Sequence, residues 1–159
     1  MKKSDGKSQT PLLLRVAEVK VKYHSNLTTT SHLRVSISSD AENIFRMNWS
    51  GDMELVEEFN VLFLNRANYV KGIFRLSRGG ITGTVADPRI LFATALKGLA
   101  VGIIVAHNHP SGSTKPSSQD IELTRRLKEG GKLIDIQLID HIILAPHSGF
   151  YSFADEGIL

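Results

Sequence analysis

Residues 99–106, Leu-Ala-Val-Gly-Ile-Ile-Val-Ala, form the longest uninterrupted apolar run of the chain, and histidines follow it at once at His107 and His109. Eight residues are far fewer than the roughly 18–20 needed to cross a bilayer. The β-branched stretch 102–106 instead suits a strand buried on both faces. A strand of that kind needs packing on each side, so sheet and helices must share one core.

The rest of the chain supplies those layers. Residues 59–64 and 70–77 read as strands joined by the turn Asn65-Arg66-Ala67-Asn68. Asp87-Pro88 starts a helix, with Asp as N-cap and Pro in the first helical position. Its apolar residues Ile90, Leu91, Ala95, Leu96 and Leu99 lie near one face. Ser117 or Ser118 caps another helix over 120–128, which Gly130-Gly131 is expected to stop. Residues 137–144 give a further strand and 150–153 a short last one. Upstream, 12–23 and 33–38 are expected strands, and Ser39 or Asp40 is expected to cap a helix reaching about residue 49. Strands alternating with helices predict an α/β fold, a mixed β-sheet flanked by helices. One domain is expected over 36–159, preceded by a basic, partly strand-like extension over 1–35.

Composition closes off several chemistries. The 159 residues contain no cysteine, which excludes disulfides, thiolate zinc ligands, a cysteine nucleophile and thiolate-held clusters. With 42% hydrophobic and 22% charged residues, the chain has the usage of an ordinary globular domain. The opening residues are basic but lack an apolar stretch behind them, so no signal peptide is read there. A cytoplasmic protein with no membrane association is expected. The pI near 9.3 invites a nucleic-acid reading. However, residues 1–23 hold six Lys/Arg against two acids, while the remainder holds 13 basic and 14 acidic residues. Any phosphate contact therefore belongs to the N-terminal arm, not to the body.

Chemistry concentrates in His107-Asn108-His109-Pro110 and the following Ser117 and Asp120. Histidines at i and i+2 of a strand project from the same face, with Cα atoms roughly 6.5–7 Å apart. Two imidazoles converge on one metal from that separation. The loop between His109 and Asp120 is long enough to return the carboxylate to the strand end. Two His and one Asp leave a fourth position for water, the open arrangement of a catalytic zinc site. Zinc held there brings the pKa of its water towards about 7. A base is then required. Glu57 and Glu58 open the strand 59–64, and alternation places only one of them on the metal face without choosing which. Ser117 stands where its hydroxyl can donate to a developing oxyanion, although Ser-x-x-Asp is also a capping pair.

At these residues the sequence resembles the JAMM (JAB/MPN-type) metallopeptidases, and within them the bacterial RadC branch. The pattern is an upstream Glu, then His-x-His-Pro, six residues, Ser, two residues and Asp. This chain matches it without a gap from His107 to Asp120. The branch's HNHPSG is present at 107–112, its Pro-Ser pair at 116–117, and its Asp-His-Ile-Ile strand at 140–143. Its strand Glu-x-Phe-x-Val-Leu-x-Leu is matched by Glu57, Phe59, Val61, Leu62 and Leu64, an alignment that selects Glu57 as the base. The resemblance spans about residues 36–159. It implies a cytidine deaminase-like fold and zinc held by His107, His109 and Asp120. It also implies water activation by Glu57, steadying of the tetrahedral intermediate by Ser117, and hydrolysis of peptide or isopeptide bonds. Full-length RadC proteins carry a helix–hairpin–helix segment, whereas the first 35 residues here are Thr/Ser-rich and strand-like. The DNA contact behind the family's repair label is not carried over.

Other residues allow two readings each. Asp140 and His141 either support a ligand from behind or form a structural pair at a strand end. His24, His32 and His147 read as surface residues. A nucleobase deaminase is set aside, because position 109 is His where that chemistry needs Glu and the Pro-Cys-x-x-Cys segment is missing. An accessory module on the same fold, without chemistry or associated with nucleic acid, is the alternative to a hydrolase acting on a peptide or protein. Exposed sheet edges make a homodimer an expectation. Specificity is expected in the loops 78–84 and 111–115.

Overall fold

The computed structural model describes residues 33–79, 86–147 and 149–159. The expected strand 12–23, the basic arm, His24, His32 and most of the loop 78–84 lie outside them. Element order is α1 (Ser38–Met47), β1 (Glu58–Leu64), β2 (Val70–Arg78), α2 (Pro88–Lys97), β3 (Gly102–Asn108), α3 (Ser118–Lys132), β4 (Gln137–Leu144) and β5 (Phe150–Ser152). The strands form one mixed sheet in the order β2-β1-β3-β4-β5, in which β3 and β4 are parallel and every other pair is antiparallel.

Strand alternation sorts the core into two layers. Phe59, Val61, Phe63, Ile103, Val105 and Leu138 face α2 and α3, against Leu91, Ala95 and Leu127. Leu62, Leu64, Ile104, Ala106, Ile142 and Leu144 face the other way, onto Ala41, Ile44 and Phe45 of α1. Every residue of β1 and β3 is buried, as the apolar run through 99–106 predicts. The turn after β1 forms as expected, with Asn65 Oδ1 accepting the backbone N–H of Ala67 at 2.9 Å and of Tyr69 at 3.0 Å. Asp87 caps α2 by accepting from Arg89 N–H.

Of the apolar residues expected on one face of α2, only Leu91 and Ala95 are buried, while Ile90, Leu96 and Leu99 are exposed and Leu99 lies past the helix end. Two further expectations fail. Residues 33–38 make a single bridge, Arg34 to Tyr69, instead of a strand. The Asp40 carboxylate competes for that backbone, taking the N–H of Ser36 at 2.8 Å and of Ile37 at 3.2 Å, and this turns the chain into α1. The cap is accordingly Ile37, not Ser39 or Asp40. The second failure is at Gly130-Gly131, which does not end α3. A side chain at Gly130 would press on the Phe92 ring of α2 at 3.0 Å, and one at Gly131 would collide with the Ile136 carbonyl. The glycines therefore serve close packing inside the helix, outweighing the roughly 1 kcal/mol each costs there.

Candidate metal centre

The site forms where β3 ends, α3 starts and β1 begins. β3 carries His107 on the α2/α3 face, buried, with its ring stacked 5.9 Å from that of Phe59. Beyond the strand, His109 N–H bonds Leu144 O at 3.0 Å, and Gly112 N–H reaches back to His109 O at 2.9 Å. The turn has Pro110 in its second position and Gly112 at φ +79°. Asp120 arrives on the first turn of α3. Ser117 accepts the Asp120 N–H at 3.1 Å, while its own N–H and hydroxyl donate to Asp120 Oδ2 at 2.7 and 2.6 Å. This reciprocal cap fixes the carboxylate rotamer as well as the helix start.

The three side chains meet. His107 Nε2 and His109 Nε2 are 3.0 Å apart. Asp120 Oδ1 lies 3.1 Å from the first and Oδ2 lies 3.6 Å from the second. Among the described residues this is the one His/Cys/Asp/Glu group of three whose ligand atoms converge, all within 4.8 Å. His109 Nδ1 sits 2.8 Å from the Ser113 carbonyl, which can only accept. The ring hydrogen of neutral His109 is therefore on Nδ1, and Nε2 offers a lone pair to the cluster. Two imidazole nitrogens and one carboxylate oxygen suit a divalent cation with a coordination position left open.

The charges agree with that reading. Burial pushes the Asp120 carboxyl up, but the neighbouring His107 and His109 rings hold it far below the usual carboxylate range. His109 is raised above its ordinary 6.5 by its hydrogen bond to Asp120, against the opposing effect of burial. Glu57 adds to the same field. Glu57 stands one residue before β1, and its carbonyl accepts the Gly79 N–H at 2.8 Å. The register pairs Phe59 with His107, so position 57 falls opposite 109 and shares the face of Phe59. Glu58 points the other way. It is buried, accepts the Ser50 hydroxyl at 2.7 Å and lies 3.4 Å from Arg78 Nε.

Asp140 and His141 separate. Asp140 accepts from the backbone N–H of His141 and Ala154 at 2.7 and 3.0 Å and from the Ser152 hydroxyl at 2.6 Å, tying β4 to the chain after β5. His141 turns towards the centre. Its Nε2 is 2.9 Å from His107 Nδ1, and its Nδ1 is 2.6 Å from Thr124 Oγ1. His147, read as a surface residue, is exposed and pairs with Glu54 at 2.9 Å.

Sequence reasoning missed three residues that shape the site. Ser113 orients His109 through its carbonyl. Thr124 lies four residues after Asp120, a helical spacing that could have flagged it. Asn108, between the two histidines, is fully buried and spends three hydrogen bonds on the backbone of residues 53–58 around Glu57. Its Oδ1 accepts Glu58 N–H at 2.7 Å, and its Nδ2 donates to the carbonyls of Met53 and Val56 at 2.7 and 2.9 Å. An asparagine inside a run of otherwise buried strand positions was the available signal.

Comparison with known proteins places this geometry. The family model described as RadC-like JAB domain matches residues 35–158. A UPF0758 protein of Flavobacterium johnsoniae is 46% identical over 102 residues, which cover 64% of this chain and 44% of that protein. A UPF0758 protein of Porphyromonas gingivalis is 46% identical over 103 residues, covering 65% and 45%. One from Clostridium botulinum is 32% identical over 149 residues, covering 92% of this chain and 63% of the relative. The chain thus spans about half the length of the curated relatives it matches. No helix among the described residues is long and apolar enough to cross a membrane.

Proposed function

Because this chain belongs to the RadC-like JAB domain family, we propose that it is a zinc-dependent hydrolase of peptide or isopeptide bonds. The observation that carries the reading is the convergence of His107, His109 and Asp120 at a strand end with Glu57 on the same face. A module without chemistry has no need of three ligands arranged with an open position.

Bound zinc would supply Lewis acidity and an acidified water. His107, His109 and Asp120 hold it, with Ser117 and Ser113 fixing two of the three ligands. Glu57 is the general base: its carboxylate takes the proton of the attacking water and returns it to the leaving amine. The Ser117 hydroxyl hydrogen, given to Asp120 Oδ2 in the resting site, would turn to the oxygen that gains charge when the amide carbonyl becomes tetrahedral. The substrate is a peptide or protein chain, the class that the family resemblance implies, and it would meet the centre at the C-terminal end of the central strand β3.

The test combines metal content with turnover. Wild-type protein purified without a histidine tag should hold near-stoichiometric zinc by elemental analysis, and His109→Ala and Asp120→Ala should lose it. Glu57→Gln should keep zinc and fold while amide hydrolysis drops about 100- to 10,000-fold. A wild type that takes up no metal after reconstitution would turn the reading towards an accessory module.

A further inference from the structure

We infer that Thr124 and His141 are positioning residues that set the ring tautomer of His107, so that its Nε2 presents a lone pair to the metal. The inference rests on the metal reading above and extends it to two residues that touch no ligand position. It follows from hydrogen directions along one chain of contacts.

The chain starts at the Asp120 backbone carbonyl, 2.6 Å from Thr124 Oγ1. A carbonyl has no hydrogen to give, so the single hydroxyl hydrogen of Thr124 points to Asp120. Towards His141 Nδ1, also 2.6 Å away, Thr124 can then only accept, and Nδ1 must carry a hydrogen. His141 is completely buried, with Phe153 stacked 4.8 Å from its ring and a tilted Phe59 ring at 5.7 Å. Among the described residues no carboxylate contacts either of its nitrogens, and a fully buried imidazole without a counter-charge stays neutral. A neutral ring has one hydrogen, already placed on Nδ1. His141 Nε2 is therefore an acceptor, and the hydrogen in its 2.9 Å contact with His107 belongs to His107 Nδ1. That leaves His107 Nε2 bare, facing His109 Nε2 and Asp120 Oδ1.

The chain closes on itself, since it begins at the backbone of one ligand and ends at the ring of another. Asp120 and His107 come from α3 and β3, and Thr124 and His141 lock the distance between them. If Thr124 loses its hydroxyl, nothing accepts from His141 Nδ1. The ring hydrogen then moves to Nε2, pushes the His107 hydrogen to its own Nε2, and blocks the metal position.

Long-range proton–nitrogen NMR of the metal-free protein reads the His141 tautomer directly, and competition with a chelating dye reads zinc affinity. The wild type should show hydrogen on His141 Nδ1. Thr124→Val, nearly isosteric, should move it to Nε2 and weaken zinc binding about 10- to 100-fold. Thr124→Ser should restore both. Hydrogen on His141 Nε2 in the wild type overturns the inference, whether or not the variants fold. So does a folded Thr124→Val protein that keeps wild-type zinc affinity. Failure of the hydrolase reading is a separate result: a protein that binds no zinc still reports its His141 tautomer.

Discussion

The end of β3 carries polar residues on both faces of the sheet, and the two faces use them in opposite ways. On the α2/α3 side, His107 directs a ring nitrogen at His109 and Asp120, so that three ligand atoms converge. On the α1 side, Asn108 is also buried, yet each of its amide contacts ends on the backbone of the segment 53–58. Glu57 and Glu58 repeat the division one strand away: Glu58 is held by Ser50 and Arg78, while Glu57 remains on the metal side. A polar group spent on backbone fixes a shape, whereas ligand atoms that converge on one another suit a cation. The Asn108 contacts fix the backbone on both sides of Glu57, the residue on which the proposed chemistry draws.

Asn108→Ala should have the largest effect on stability. It would leave one buried N–H and two part-buried carbonyls without partners, at about 1–3 kcal/mol for the first, less for the others and not fully additive. A loss of about 3–5 kcal/mol is expected in urea unfolding of the metal-free protein. His109→Ala, on the half-open face, should change the same measurement by less than about 1 kcal/mol while abolishing zinc binding. Equal destabilisation by the two would break the distinction between the faces.

Asp140→Ala comes next. It would strand the N–H groups of His141 and Ala154 and the Ser152 hydroxyl, and a loss of about 2–4 kcal/mol is expected. Zinc affinity of the folded protein should be unchanged, because the carboxylate of Asp140 does not join the chain from Thr124 to His107. A large drop in affinity would show that the two neighbours on β4 act together. Ser117→Ala should cost about 1 kcal/mol as the loss of a helix cap. If Ser117 also serves the oxyanion, turnover should fall more than zinc occupancy does.

The open site was legible because its parts are local. His107 and His109 share a strand end, and Asp120 sits on the first turn of the next helix, so spacing alone brings them together. The closed network and the chain behind His107 were not legible. Asn108 meets residues some 50 positions upstream, and His141 meets Thr124 only through the pairing of β3 with β4 and the packing of α3 over them. The same cause explains the misread glycines. Gly130 and Gly131 look like a helix stop until Phe92 and Ile136 are placed against them. At residues 33–38 alternation suggested a strand, but the Asp40 carboxylate, a local competitor, took the N–H groups a strand would have used.

The smallest expected effect is the sign of a pH slope, and it separates the open site with and without its cation. In the metal-free protein His109 is raised above 6.5, first by its hydrogen bond to Asp120. The stability it contributes is fully present below its unfolded value and is lost as pH rises through the folded one. Asp120 works in the other direction, its contribution present above 3.8 and lost only in strong acid, so it is constant near neutrality. Asp140 is raised, chiefly by burial, and its contribution declines as pH climbs through its folded value from below. His141, pushed well below 6.5 by burial, contributes the opposite slope, so the His109 share is read as the stability of the wild type relative to His109→Ala. In urea unfolding with a chelator that difference should fall as pH increases from about 6 to 8. With saturating zinc the slope should reverse, because the proton on His109 competes with the metal and its removal tightens binding to the folded state. Slopes of the same sign in the two series would mean that His109 does not hold the metal. The open face would then be an ion pair between His109 and Asp120, with no place for a cation.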